Sequence, residues 1–359
     1  MNYSLRLNKL RAALPTLECD ALVITNLTNV RYLCGFSGSS GMAIVTSSKT
    51  YFVTDFRYQS QAAQQVPAEC EVVIAREGLW KEAARLLDAK DLHVGFEAEH
   101  ISVATRDEIA EVLPDAQLVS TRRAIEELRL FKDADEIAVI ERAVQVIDEC
   151  FEAVCRVLEP GQSERFIAQS LQDMMRERGA TGPSFDTIVA SGVRGALPHG
   201  IASDKTIERG EMITIDMGAV VDGYCSDCTR TVCLGAPTGE QQRIYGIVWD
   251  AQTAAAQALR PALSCFDADE IARAIIREAG LVEAFGHGLG HGVGMEIHEQ
   301  PRLSFLGKGD LQAGMIVTCE PGIYLEGWGG VRIEDMLLIT NDGHRVLTKA
   351  TKPREIIVL

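Results

Sequence analysis

The stretch MITIDMGAVVDGYCSDCTRTVCL (212–234) decides how this chain is read. Two apolar, β-branched runs flank Asp222-Gly223, a dipeptide that signals a tight β-hairpin turn. Each run carries a residue that strands ordinarily avoid: Asp216 in the first and Asp227 in the second. A hairpin turning on Asp222-Gly223 sets Asp216 opposite Thr229 and Gly218 opposite Asp227. The two carboxylates are then diagonal neighbours on one face, and a register shifted by two would pair them directly. Anions this close are costly unless one is protonated or a cation lies between them. An exposed pair on a solvated sheet face is the other reading open at this point.

The same pattern recurs downstream. Glu320 ends the strand-like MIVTCE, Glu334 lies in GGVRIEDML, and the Gly-rich PGIYLEGWGG joins them. Glu320 and Glu334 have the same parity about that turn, so a simple hairpin puts them on one face. Between the two hairpins, FGHGLGHGVGMEIHEQP (285–301) supplies His287, His291 and His298 from a chain that has 7 histidines. Four carboxylates with one imidazole form a hard, oxygen-rich donor set suited to a pair of divalent ions.

Outward from these segments the chain divides in two. The first third alternates short apolar runs (20–26, 41–47, 50–55, 71–76, 93–98) with amphipathic stretches such as 77–89, an α/β pattern. After residue 121 apolar residues recur at helical spacing. Asp133 followed by Glu136 predicts a helix start, and Pro160-Gly161 its stop. Further helices are expected near 164–178, 240–259 and 267–279, with strands near 315–320 and 331–339, an α+β arrangement. The expected domains are 1–125 and 126–359.

Charge and composition narrow the function. With 35 Lys+Arg against 51 Asp+Glu, the formal charge is −16, and no basic patch offsets it. Nucleic acid and anionic membranes are therefore not expected partners. No apolar run approaches a membrane span, and the first residues lack a signal peptide's apolar core, so a soluble, cytoplasmic protein is expected. The 10 cysteines, irregularly spaced, read as free and mostly buried thiols. The C-x-x-C at 225–228 has no second copy, the glycines of 286–294 do not follow a dinucleotide-binding pattern, and HExxH and GxSxG are absent.

The motifs NVRYLCGFSGSSG (29–41), TDFRYQSQA (54–62), SFDTIVASGVRGALPHG (184–200), TIDMGAVVDGYCSDCTRT (214–231), GHGLGHGVGMEIHEQP (286–301), CEPGIY (319–324) and GGVRIED (329–335) follow one another in an order that resembles the pita-bread metallopeptidases. The likeness is to the Xaa-Pro aminopeptidase and Xaa-Pro dipeptidase (prolidase) group and runs nearly end to end. It implies an α/β creatinase-like amino-terminal domain followed by an α+β pita-bread catalytic domain. It also implies that Asp216, Asp227, His291, Glu320 and Glu334 bind two divalent ions, with Asp227 and Glu334 bridging them. Manganese is the first expectation, with cobalt or zinc as alternatives. His199 and His298 would flank the substrate, His287 would face the cleft, and Arg332 would support the ligands.

The reaction so implied is metal-dependent hydrolysis of the Xaa-Pro bond at the amino terminus of short peptides. A water shared by two divalent ions would supply the hydroxide. Glu320 would carry the proton to the leaving nitrogen, and His298 with His199 would steady the oxyanion. A dipeptidase is the alternative, and a non-catalytic binding protein on the same fold a remoter one. The intact ligand set argues against creatinase, and the separate first domain and the His199 motif argue against methionine aminopeptidase. The resemblance also implies a dimer or larger homo-oligomer.

Overall fold

The computed structural model describes residues 1–88 and 90–359, in two compact units, Met1–Arg129 and Leu130–Leu359. The first unit includes the short helix Glu126–Arg129, which the sequence division assigned to the second domain. Asn29 explains the difference: its amide donates to Glu126, and Arg129 donates to its carbonyl at 2.7 Å.

The first unit is a six-stranded sheet in the order Glu71–Ala75, Thr50–Asp55, Met42–Thr46, Ala21–Ile24, His93–Glu97, Gln117–Thr121. Met42–Thr46 runs antiparallel to both neighbours and the other pairings are parallel. All five strands expected from the apolar runs are present. Gln117–Thr121 carries too little apolar character to be read from the sequence, and the short helices Leu27–Cys34 and Val103–Val112 also emerge only in the structure. The helix expected over 77–89 is Leu79–Leu87, and Ala89 lies outside the described residues.

In the second unit, helix Ala134–Val157 opens on the expected capping box, in which the Asp133 side chain accepts from Glu136 N and the Glu136 side chain from Asp133 N. It packs with Glu164–Glu177 over a sheet ordered Ile357–Val358, Cys228–Cys233, Met212–Met217, Ile188–Ser191. A second helix pair, Gly239–Ala258 and Cys265–Glu278, covers a sheet ordered Glu299–Leu303, Gly290–Gly292, Ile316–Cys319, Asp335–Ile339, His344–Val346. Each helix pair buries its apolar stripe on one sheet face. On the opposite face of the five-stranded sheet, Ile316, Met336 and Leu338 pack in a further apolar cluster with Val139, Ile140 and Val144 of helix Ala134–Val157.

Asp222 and Gly223 both have positive φ, 48° and 85°, the backbone of a two-residue type I′ turn. The register follows from it, with Thr229 paired to Asp216. The strand does not run unbroken through MITIDMGAV. At Gly218 the chain passes from the four-stranded sheet into a smaller one, and a Cβ there would lie 2.0 Å from Ser184 Oγ and 2.2 Å from Ser226 O. Asp216 and Asp227 thus sit at a sheet junction. All ten cysteines are free, and all but the half-buried Cys155 are buried. Among the described residues no helix is long and apolar enough to cross a membrane.

Candidate metal centre

Asp216 reaches the site from Met212–Met217 and Asp227 from the break before Cys228–Cys233. Glu320 and Glu334 come from the other sheet, where Cys319 pairs with Asp335 and the next position along brings the two glutamates face to face. Glu334 N donates to Thr229 O at 3.1 Å, which ties the second carboxylate pair to the first hairpin. His291 lies in Gly290–Gly292, paired to Ile316–Cys319. The glycine beside it is required, since a Cβ on Gly290 would sit 2.2 Å from Thr318 O.

Asp216, Asp227 and Glu334 are buried and present ligand atoms within 4.8 Å of one another. A solvated sheet face is therefore excluded. His291 Nε2 lies 3.2 Å from Glu320 Oε1 and 3.6 Å from Asp227 Oδ2. The opposite nitrogen, His291 Nδ1, is 3.0 Å from Gly292 O, and a carbonyl only accepts, so Nδ1 carries the hydrogen. That leaves the Nε2 lone pair aimed at two carboxylates, an arrangement that calls for a proton or a cation between them.

The electrostatics say the same. Burial, together with the charges of Glu334, Asp216 and Glu320, pushes the Asp227 carboxyl well above its ordinary range. Burial with Glu320 and Asp216 does so for Glu334, against the hydrogen bond from Thr229 Oγ1 at 2.8 Å. Asp216 is raised by burial although Arg332 Nη2 donates to its Oδ2 at 2.6 Å. Glu320 moves the other way: burial opposes, but the hydrogen bond and charge of His291 bring it down to about 2. Two buried oxygens, Asp216 Oδ1 and Glu334 Oε1, have no hydrogen-bond partner. Orphaned acceptors among crowded anions, beside an imidazole nitrogen aimed at two carboxylates, are what a divalent cation satisfies. The donor set fits such ions.

Every site residue named from the sequence lines one cavity of about 690 Å³: His199, Asp216, Asp227, His287, His291, His298, Glu320, Arg332 and Glu334. His298 stands edge-on to His291 with ring centroids 4.4 Å apart. Burial and the His291 charge hold it below the ordinary histidine value, which makes it a neutral imidazole near neutral pH. His199 is exposed on the cavity wall. His287 is held at both nitrogens: Nδ1 donates to Gly288 O, and Nε2 accepts from Tyr324 Oη at 2.8 Å. Arg332 Nη1 donates to the same phenol oxygen at 2.8 Å, and Arg332 is thereby fixed between Tyr324 and Asp216.

Sequence reasoning missed several members of the site. Tyr324 follows Glu320 by four residues in CEPGIY and links His287 to Arg332. Thr229 and Thr318 orient Glu334 and Glu320 through hydroxyls, the latter at 3.0 Å, and each is a strand neighbour two positions from a ligand, a spacing that signals a shared face. Phe185, Ile188, Ile201, Ile297 and Phe305 form apolar wall, and Asp186 and Arg302 are exposed charges on it. Cys225 and Cys228 direct their sulfurs to Met295 O and Glu334 O, so they form no joint site.

Comparison with known proteins follows the two units. The family model described as metallopeptidase family M24 matches residues 138–341, and the creatinase/prolidase N-terminal domain matches 6–131. An Xaa-Pro dipeptidase of Pyrococcus horikoshii is 40% identical over 346 residues, which cover 94% of each chain. Among solved structures, an Xaa-Pro dipeptidase from Bacillus anthracis superposes with a TM-score of 0.96 at 40% identity over 100% of both chains. An X-Pro aminopeptidase from Thermotoga maritima gives 0.89 at 36% identity, covering 96% of this chain and 99% of that one.

Proposed function

The chain belongs to metallopeptidase family M24, and on that premise we propose that it hydrolyses the Xaa-Pro bond at the amino terminus of short peptides. The observation that carries this reading is the convergence of Asp216, Asp227, His291, Glu320 and Glu334 on one cavity, with buried carboxylate oxygens left unbonded. Those five residues would hold two divalent ions, which when bound lower the pKa of a water to the neutral range and draw charge from the substrate carbonyl. The oxygen-rich set with a single imidazole favours Mn²⁺, with Co²⁺ or Zn²⁺ next.

The remaining chemistry belongs to side chains. Glu320, its Oε1 held by Thr318 and facing His291, takes the water's proton at its other oxygen and returns it to the proline nitrogen, which must be protonated to leave. Neutral His298 donates to the carbonyl oxygen as charge develops there, with His199 of the same cavity wall as a second donor. The apolar wall takes the proline ring, whose bond geometry excludes it from most peptidase clefts.

A dipeptide is the narrower reading, and one observation favours it. Arg302 lies on the cavity wall directly across the strand pair from His291, and it is exposed there. A guanidinium beside the reacting centre suits the free carboxylate of a substrate that ends at proline. The relatives named Xaa-Pro dipeptidase support the same choice.

The test is to strip the protein with chelator, restore Mn²⁺ or Co²⁺, and compare Ala-Pro with Ala-Pro-Ala. Metal-dependent cleavage mainly of Ala-Pro supports the dipeptidase, and cleavage of the tripeptide the aminopeptidase. Cleavage of neither after reconstitution overturns the proposal.

A further inference from the structure

Glu164 opens helix Glu164–Glu177, is fully buried, and has no part in the chemistry above. It is saturated with donors. Its Oε1 accepts from Ser191 N at 2.8 Å and Ser191 Oγ at 2.9 Å. Its Oε2 accepts from Arg194 Nε at 2.9 Å, Ser203 N at 3.1 Å and Ser203 Oγ at 2.7 Å. The helix amino terminus adds a favourable field for the charge.

These donors all lie around one segment. Arg194 and Ser203 bracket the stretch 194–203, and both bond the same carboxylate oxygen, so Glu164 closes that stretch into a loop. Arg194 Nη2 reaches further, to Ile201 O at 2.7 Å, and Arg332 Nη1 holds Pro198 O from the metal side at 3.2 Å. At the base of the loop Gly195 lies so close to Gly330 that a Cβ would fall 2.9 Å from its nitrogen. His199 stands within this loop, on the cavity wall; its carbonyl accepts from Ile201 N at 2.9 Å, and its imidazole makes no hydrogen bond among the described residues. The backbone that carries its imidazole is held by Glu164, Arg194 and Arg332.

We propose that Glu164 is a positioning residue for the hydrolysis, acting through the Arg194–Ser203 loop to hold His199 against the substrate. The inference rests on the reading of His199 as a substrate-facing group. A misplacement of about 1 Å can cost about 100-fold in rate. Glu164→Gln keeps the shape but turns an amide toward donors that need an acceptor, so it should release the loop while leaving the metal ligands untouched.

The experiment is a double-mutant cycle on the Mn²⁺-reconstituted full chain, with Glu164→Gln and His199→Ala separately and together. Initial rates on Ala-Pro are measured with metal content and melting temperature. We expect Glu164→Gln to lower kcat by about 10- to 100-fold, with KM within about threefold and metal content unchanged. That loss should disappear in the His199→Ala background, because the group being positioned is gone. Equal loss in both backgrounds means a merely structural role and overturns the proposal alone. If His199→Ala by itself leaves kcat unaltered, the role of His199 falls and the proposal with it. Should Glu164→Gln fail to fold, Arg194→Gln and Ser203→Ala break the loop-side bonds singly, and the same cycle with His199→Ala decides the matter.

Discussion

Arg302 stands directly opposite His291 in the antiparallel pairing of Gly290–Gly292 with Glu299–Leu303. One residue faces the carboxylate cluster and the other lines the same cavity as an exposed cation. A charge-assisted hydrogen bond to a substrate carboxylate contributes about 1.5–3 kcal/mol. Arg302→Ala should therefore raise KM for Ala-Pro by about 10- to 100-fold and change Ala-Pro-Ala much less. Steady-state kinetics on both peptides checks this, and equal losses would remove Arg302 from carboxylate recognition.

Removing a carboxylate should help the metal-free protein. Asp227 and Glu334 are buried together and each is pushed up in pKa, burial being the main cause, so the cluster without a cation works against folding. Glu334→Gln keeps an oxygen for Thr229 Oγ1 while deleting a charge. Metal-free Glu334→Gln should be more stable than metal-free wild type by about 1–3 kcal/mol, yet gain less on adding Mn²⁺ and lose hydrolysis. Chemical denaturation with and without chelator reads both. A destabilised metal-free variant would contradict the electrostatic account.

Tyr324→Phe deletes the one oxygen that joins His287 Nε2 to Arg332 Nη1. The half-buried His287 Nε2 loses its partner at about 1–3 kcal/mol, while Arg332 Nη1 keeps Pro198 O. We expect activity to fall by about tenfold or more on that scale, with metal content retained because Arg332 still holds Asp216. Loss of metal would mean that the phenol stabilises the ligand cluster itself.

Arg230 and Asp335 form a fully buried ion pair at 2.8 Å, and Arg230 also donates to Glu334 O and Ala350 O. Taking away one member of such a pair typically costs about 3–5 kcal/mol, whereas replacing both with apolar residues can be neutral. Arg230→Met should be strongly destabilising, and Arg230→Met with Asp335→Leu should recover part of the loss. Denaturant midpoints of the two variants and wild type decide it.

Local signals in the chain were enough for much of this architecture. Asp222-Gly223 supplies two positive-φ residues with little strain, and a two-residue turn leaves one register, so the Asp216–Thr229 pairing follows from counting. Asp133 and Glu136 three residues apart locate a helix start for the same reason: their partners are neighbours in sequence. The candidate ligand carboxylates were legible because aspartate and glutamate are out of place among strand formers. Strand Gln117–Thr121 was not, since its place in the first sheet comes from pairing with His93–Glu97 and not from its own composition.

What only the tertiary structure decided is which distant groups meet. Glu334 N on Thr229 O brings the two hairpins together, Arg332 reaches Asp216, Tyr324 and Pro198 at once, and Glu164 finds Ser191 and Ser203. The close approach at Gly218 belongs to the same class, because Ser184 and Ser226 leave no room there for a side chain. Turn, cap and strand parity act over a few residues and are written in the order of the chain. Long-range contacts depend on how two sheets and two helix pairs pack, and packing is selected by the total apolar surface buried, which no single segment carries.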